Sequence, residues 1–235
     1  MNSRNWLQGN GVRRLSVGVT AADWRNITDS LAALDPKSEW LHLDVMDGQF
    51  CPKLTCGAWL IDALPKGFII DAHVMTYSAL AQAMQLAKNG AHIVTLQYEA
   101  LENAVDALLA LEPYRVSYQG NDFPLMRGIS LCPETDLDVI NALLPHIEMV
   151  QLLSLDPRSG EKMEQEAFAA RLKELIQRVK DSDHSPMISV DGSMSLSLAE
   201  ASVALGANII VSGSALFKDE QLSTNLETWK KHLYR

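Results

Sequence analysis

The chain has 235 residues, 47% of them hydrophobic and 21% charged, with a formal net charge of −9. That length and balance fit one soluble globular domain with a sizeable core and exclude a disordered chain. The acid excess, with no run of Lys and Arg longer than a pair, argues against a nucleic-acid or anionic-membrane partner, since either needs a basic patch.

An anionic small substrate stays open, because backbone N–H groups alone can hold a phosphate. Residues 1–12 are polar and lack an apolar stretch, so they are expected to form a tail rather than a signal peptide, followed by one domain over residues 13–235. No window is apolar for long enough to span a membrane. Cys51, Cys56 and Cys132 make no even-numbered framework, which points to a reduced, cytoplasmic setting. Cys51 and Cys56 lack a second thiol or His pair at ligand spacing and are read as packing residues.

Short apolar segments rich in β-branched residues recur along the chain. They predict strands at residues 14–19, 40–45, 68–74, 92–97, 127–131, 149–153, 187–190 and 208–211, separated by stretches of helical period. Thr20 with Asp23, Thr135 with Asp138 and Ser197 with Glu200 fit capping boxes, and Gly90 and Gly206 fit helix stops. Residues 114–124 are the most loop-like stretch and are expected to be an extended connection before the fifth strand. Gly90-Ala91-His92-Ile93-Val94 and Gly206-Ala207-Asn208-Ile209-Ile210 repeat one helix-to-strand junction in the two halves of the chain. A repeated βα unit suits a closed barrel better than an open sheet with a topological switch point. The expected architecture is α/β, a single-domain (β/α)8 TIM barrel.

Four segments carry chemistry. In Leu41-His42-Leu43-Asp44-Val45-Met46-Asp47-Gly48, alternation puts His42, Asp44 and Met46 on one face, and Asp-Gly ends the strand. By itself this segment also fits a satisfied core histidine. Ile70-Asp71-Ala72-His73-Val74-Met75 brings His73 to the next strand end, and His and Asp groups at adjacent strand mouths favour a divalent metal site. Ser189-Val190-Asp191-Gly192-Ser193 falls on the seventh strand, diametrically opposite the third in an eight-stranded ring. Asp44 and Asp191 would then flank one substrate carbon, as inversion of a stereocentre next to a carbonyl requires. A cation on the carbonyl oxygen would stabilise the enediolate, and two His with two Asp suit Zn, Fe, Mn or Co. Val211-Ser212-Gly213-Ser214-Ala215-Leu216-Phe217, read as running into a helix, pairs with Gly192-Ser193 as a phosphate-binding corner.

At these residues the chain resembles the ribulose-phosphate 3-epimerase family, from about Leu15 to Phe217. His42-Leu43-Asp44-Val45-Met46-Asp47-Gly48-Gln49-Phe50, with Pro52, Leu54-Thr55 and Gly57, follows the family's H-[IL]-D-V-M-D-G-x-F-x-P-x-L-T-x-G. Asp71-Ala72-His73-Val74-Met75 is similar to D-V-H-L-M, Val190-Asp191-Gly192 to V-D-G-G, and Gly213-Ser214-Ala215-Leu216-Phe217 to G-S-A-[IL]-F. The resemblance implies metal ligation by His42, Asp44, His73 and Asp191, acid–base chemistry by Asp44 and Asp191, and Met46 lining the site. It implies phosphate contacts at Gly192, Ser193, Gly213 and Ser214, a ketose-phosphate substrate, C3 epimerisation and a homo-oligomer.

The departures fall in the substrate-facing shell. Gly18 stands where the family has a substrate-binding Ser, with Ser16 two residues earlier on the same face as the candidate replacement. Gln97 replaces a His, and N-P-A-T has become Cys132-Pro133-Glu134-Thr135. The family's glycine-rich sixth loop, N-P-G-F-G-G-Q, is here Asp156-Pro157-Arg158-Ser159-Gly160-Glu161-Lys162 and keeps only Gly160. Arg158 or Lys162 is expected either to contact substrate from this lid or to be a solvated charge. Competing readings are a lyase or decarboxylase on the same barrel, disfavoured by His42-x-Asp44-x-Met46 and His73, and a non-catalytic sugar-phosphate binder, disfavoured by four intact ligands.

Overall fold

Strands that are apolar on both faces need cover on both, and here each is followed by helical cover. The computed structural model describes Leu7 and residues 14–234, so apart from Leu7 the expected tail at residues 1–12 lies outside the described residues. The strands are β1 (Arg14–Gly18), β2 (Glu39–Met46), β3 (Ile70–Met75), β4 (Ile93–Gln97), β5 (Arg115–Tyr118), β6 (Asn121–Pro124), β7 (Met126–Leu131), β8 (Met149–Leu153), β9 (Met187–Asp191) and β10 (Ile209–Ser212). The α-helices are α1 (Ile27–Ser30), α2 (Leu60–Ala63), α3 (Ala79–Lys88), α4 (Ala104–Leu111), α5 (Ile140–Leu143), α6 (Gln165–Lys180), α7 (Leu196–Leu205) and α8 (Leu222–Leu233). β1, β10, β9, β8, β7, β4, β3 and β2 close in that order into a parallel barrel.

The chain is therefore a single-domain (β/α)8 barrel, as its alternating pattern predicts. None of the described helices is long and apolar enough to cross a membrane.

Alternation sorts the side chains. Leu41, Leu43 and Val45 of β2 join the apolar layer between barrel and helices. Trp40, of opposite parity, joins Ile69, Ile93, Met126, Met149, Met187, Ile209 and Val211 in a separate buried cluster. That cluster is the apolar floor of the lumen. The longest helix, α6, buries Phe168, Leu172, Leu175, Ile176 and Val179, which share one helical stripe against the barrel.

Three local expectations are corrected. Residues 114–124 hold an antiparallel hairpin of β5 and β6, not an extended connection. Its turn residues Gln119 and Gly120 have φ of 50° and 76°, the left-handed pair that a tight two-residue hairpin turn requires. Two four-residue strands are too short to reveal their alternation. The helix caps also differ: Asp23, Asp136 and Ser195 accept the first-turn N–H bonds. Thr20, Thr135 and Ser197 do not, because the turns begin elsewhere than those boxes suggest. Finally, residues 213–217 form turns, and α8 begins only at Leu222, so no helix starts at Gly213.

The three thiols pack as apolar groups. Cys51, Cys56 and Cys132 are buried at 2%, 5% and 0% exposure, and burial pushes the Cys56 thiol up to about 11. Reactive thiolate is therefore scarce at neutral pH. We expect a disulfide reagent to titrate no thiol rapidly in the native protein and all three in urea. Rapid native labelling of Cys56 would contradict this packing.

Candidate active site

Above the apolar floor the lumen turns polar. Ser16, His42, Asp71, Gln151 and Ser189 are fully buried at mid-depth, and His73, Gln97, Asp44 and Asp191 form the level above. Bonds between strands that are not neighbours, such as Ser16 to Asp71 and Gln151 to His73, can form only across the lumen.

The strand ends bring together all four residues expected to form the centre. His42 Nε2 lies 3.4 Å from Asp44 Oδ1 and 3.7 Å from Asp191 Oδ2. His73 Nδ1 lies 4.0 Å and 3.7 Å from the same two oxygens. One ligand atom from each residue falls within 4.8 Å of all the others. β3 and β9 are four places apart in the ring, so His73 and Asp191 do face each other from opposite walls.

Each group is gripped from behind. Asp71 Oδ2 lies 2.8 Å from His42 Nδ1 and also accepts from Ser16 Oγ at 2.9 Å. Gln97 Oε1 lies 2.7 Å from His73 Nε2. The Thr20 hydroxyl donates to Asp44 Oδ2 at 3.1 Å. Gln151 Nε2 lies 3.1 Å from His73 Nδ1 and 3.3 Å from Asp191 Oδ2.

Burial pushes the His42 imidazole down, but the combined pull of Asp71 and Asp44 outweighs it and holds the ring well above its ordinary range. Burial likewise pushes the Asp44 carboxyl up, and the two imidazoles with the Thr20 hydroxyl more than offset it, leaving it below the usual carboxylate value.

One atom tests whether a cation suits this cluster. His42 Nε2 is fully buried and has no hydrogen-bond partner among the described residues. A buried nitrogen left so is costly unless something binds it. It points at two carboxylates and a second imidazole, a mixed N/O set that suits Zn, Fe, Mn or Co. The residues fit the group.

Of the other expected contacts, Ser16 is fully buried beneath the site, where its hydroxyl donates to Asp71. Gly18 packs closely on the next strand end, so that a Cβ there would come within 3.2 Å of Gly213 Cα. Met46 is half-buried at the rim, against Phe50, Cys51 and Met75.

Gly192 has a φ of 91°, and a Cβ on it would lie 2.9 Å from Leu155 Cδ2. Only glycine fits there. Ser193 and Ser214 are exposed beside it, at the ends of the paired strands β9 and β10.

The sixth loop is folded back on itself by a bridge between Leu155 and Lys162, with Asp156 N–H donating to Glu161 O at 2.8 Å. Arg158 is clamped by Asp156, from Nε to Oδ1 at 2.9 Å and from Nη2 to Oδ2 at 2.5 Å. Its guanidinium lies 5.9 Å from the centroid of the Phe50 ring. Phe50 follows β2 and Arg158 follows β8, four places apart in the ring, so the loop crosses the mouth. Gly160 sits at the loop tip with a φ of 77°, and Lys162 is exposed.

Fold and sequence together place the chain among the (β/α)8-barrel enzymes, in the isomerase class. It belongs to the Ribulose-phosphate 3 epimerase family, which it matches over residues 14–217. It is 39% identical over 217 residues to the Salmonella paratyphi A protein named "Putative epimerase LsrE", covering 92% of this chain and 85% of that one. Against ribulose-phosphate 3-epimerase of Treponema pallidum the identity is 30% over 207 residues, covering 86% and 90%. Among solved structures, KGPDC from Streptococcus mutans superposes with a TM-score of 0.65 at 14% identity, over 95% of this chain and 98% of that one, a likeness of fold alone.

Sequence reading missed Thr20, Asp71, Glu99 and Gln151 as members of the site, and took Gln97 only as a departure. Asp71 shares the parity of His73, and Gln151 is the one polar residue of Met149-Val150-Gln151-Leu152-Leu153, so both carried a signal. Thr20 carried none beyond its false cap.

Ser16→Ala separates its two readings. It removes a buried donor from Asp71, and we expect a loss of about 1–3 kcal/mol in stability by urea denaturation. Unchanged stability with a raised KM would return Ser16 to the substrate.

Proposed function

We propose that the chain is a cation-dependent epimerase that inverts C3 of a ketose phosphate, either ribulose 5-phosphate or a related pentulose or hexulose phosphate. The convergence of His42, Asp44, His73 and Asp191 around the unpartnered His42 Nε2 carries this reading. Those four residues would hold one divalent ion, Zn, Fe, Mn or Co, which when bound stabilises the negative charge developing on the substrate oxygen next to the reacting carbon.

The proton work belongs to the chain. Asp44 and Asp191 reach the lumen from β2 and β9, three places apart in the ring, so each can address a different face of a planar carbon. One carboxylate removes the C3 proton, and the other, in its protonated form, delivers a proton to the opposite face. Thr20 occupies Asp44 Oδ2 and so leaves Oδ1 as the oxygen turned to the cluster. Met46 packs beside the reacting carbon. The turns at Gly192-Ser193 and Gly213-Ser214 hold the phosphate at the end of the substrate away from C3. The sixth loop covers the mouth and keeps water from the carbanion.

Asp44→Asn and Asp191→Asn should each lower epimerisation at least about a hundredfold, since each removes one general acid–base group. The assay is turnover of a panel of ketose phosphates in deuterated water after metal reconstitution, with metal content measured in each variant. Retention of either proton-exchange half-reaction in one variant, without inversion, is the expected mark of two faces. Full activity in either variant would defeat the two-base reading.

Arg158 is occupied by Asp156 and stacked over Phe50, which supports a latch on the closed loop rather than a phosphate contact. A cation–π contact of about 0.5–2 kcal/mol corresponds to roughly two- to thirtyfold. Arg158→Ala should lower kcat/KM by such a factor equally for a phosphorylated sugar and its unphosphorylated form, and speed amide exchange over residues 155–162. A loss confined to the phosphorylated sugar would assign Arg158 to the phosphate instead. Lys162, exposed and outside that stack, should be replaceable by Ala without effect.

A further inference from the structure

The two imidazoles of the centre offer opposite nitrogens to it, His42 its Nε2 and His73 its Nδ1. What stands behind each ring decides this. For His42 it is a carboxylate, Asp71, at Nδ1. For His73 it is an amide, Gln97, and an amide can present either a donor or an acceptor.

The surroundings of Gln97 remove that freedom. Its Nε2 donates to Glu99 Oε2 and lies 3.3 Å from the carbonyl of Ser130 and 3.4 Å from Cys132 Sγ. A carboxylate and a carbonyl only accept, so the NH2 end must face them and the oxygen must face His73. Glu99 is itself fixed, because Oε1 accepts from Cys132 N–H at 2.8 Å and from the Thr135 hydroxyl. Arg171 Nη2 in turn ties the carbonyls of Cys132, at 3.1 Å, and Thr135. With Gln97 Oε1 as acceptor, a neutral His73 ring carries its proton on Nε2, which leaves a lone pair on Nδ1.

The opposite side of the ring agrees. Gln151 turns its Nε2 toward His73 Nδ1 while its Oε1 accepts from Ser189 Oγ at 3.3 Å, so the group facing Nδ1 is a donor.

We propose that Gln97, oriented by Glu99, is a positioning residue that fixes the His73 tautomer and so makes Nδ1 a cation ligand rather than a proton donor. The proposal rests on the cation reading above only for its consequence. The tautomer itself belongs to the metal-free protein. Behind a ring with the wrong tautomer, the four-residue cluster has three ligands and a misplaced N–H. Metal sites lose about ten- to a hundredfold in affinity when such a partner is removed.

Gln97→Met keeps the length of the side chain and removes both amide functions. Gln97→His restores them differently, since one ring nitrogen can donate to Glu99 while the other accepts from His73. The experiment reads the side-chain nitrogen shifts of His73 in metal-free protein by NMR, and the Zn²⁺ dissociation constant by competition with a chromophoric chelator.

The parent should show a single Nε2–H tautomer. Gln97→Met should show mixed tautomers and bind Zn²⁺ about ten- to a hundredfold more weakly, and Gln97→His should recover both readouts. If Gln97→Met does not fold, Gln97→Asn, too short to reach both partners, takes its place. An unchanged tautomer and an affinity within about twofold of the parent in the Met or Asn variant would overturn the proposal, on the scale such partners set. A parent that binds no Zn²⁺ would instead overturn the cation reading, and the tautomer readout would still decide the role of Gln97.

Discussion

Closing eight strands into a ring turns every second side chain of each strand into one shared lumen, and the other half outward onto the helices. Everything at the site depends on that sorting. Trp40, His42 and Asp44 share one parity of β2 and lie at successive depths, as floor, buried ring and mouth. The apolar floor excludes water from below, so the polar groups above it must satisfy one another across the lumen. Buried charge and buried imidazole are costly without partners. Here the partners exist, some on the neighbouring strand, as Asp71 for His42, and some across the lumen, as Gln151 for His73.

The lumen therefore holds two interleaved sets of polar residues. His42, Asp44, His73 and Asp191 converge on a point, while Asp71, Thr20, Gln97 and Gln151 stand behind them and determine which atom each turns inward. A carboxylate behind His42 and an anchored amide behind His73 lead to opposite ring nitrogens facing the same center. The nitrogen of His42 is one of the buried polar atoms whose internal pairing fails, and it lies where the other three converge. An arrangement built only for stability would have paired it.

The barrel and the four convergent residues were legible in the sequence because both rest on local periodicity. Strand alternation and the spacing His42-x-Asp44, then His73 and Asp191, survive any tertiary detail. The misses are those that depend on contacts between distant segments. Ser16 read as a mouth residue because parity gives the face and not the depth, and only the register of β1 against β2 shows it sunk beneath the site. Thr20 read as a helix cap because its hydroxyl's real acceptor, Asp44, lies 24 residues away. The hairpin at residues 114–124 was hidden by strands of four residues, shorter than the pattern that would betray them.

The same geometry sorts the chain's departures from the family pattern by where they point. Three departures from the family pattern turn inward and are absorbed by the protein itself. Gly18 is locked against Gly213, Gln97 lies behind His73, and Cys132 with Thr135 anchors Glu99. None of them presents a side chain to the open mouth. Among the departures that face outward are Glu134, Ser193 and the sixth loop. Ser193 holds a φ of 38°, in the left-handed region where a side chain costs about 1–2 kcal/mol relative to glycine. A residue kept there in spite of that cost adds a hydroxyl at the exposed end of β9, beside Ser214. Beside it, the loop carrying Arg158, which follows the neighbouring strand β8, reaches the far wall at Phe50. On the proposed function, discrimination between sugar phosphates would act at the rim, where these departures lie, over a centre whose inner residues are each held by a partner of their own.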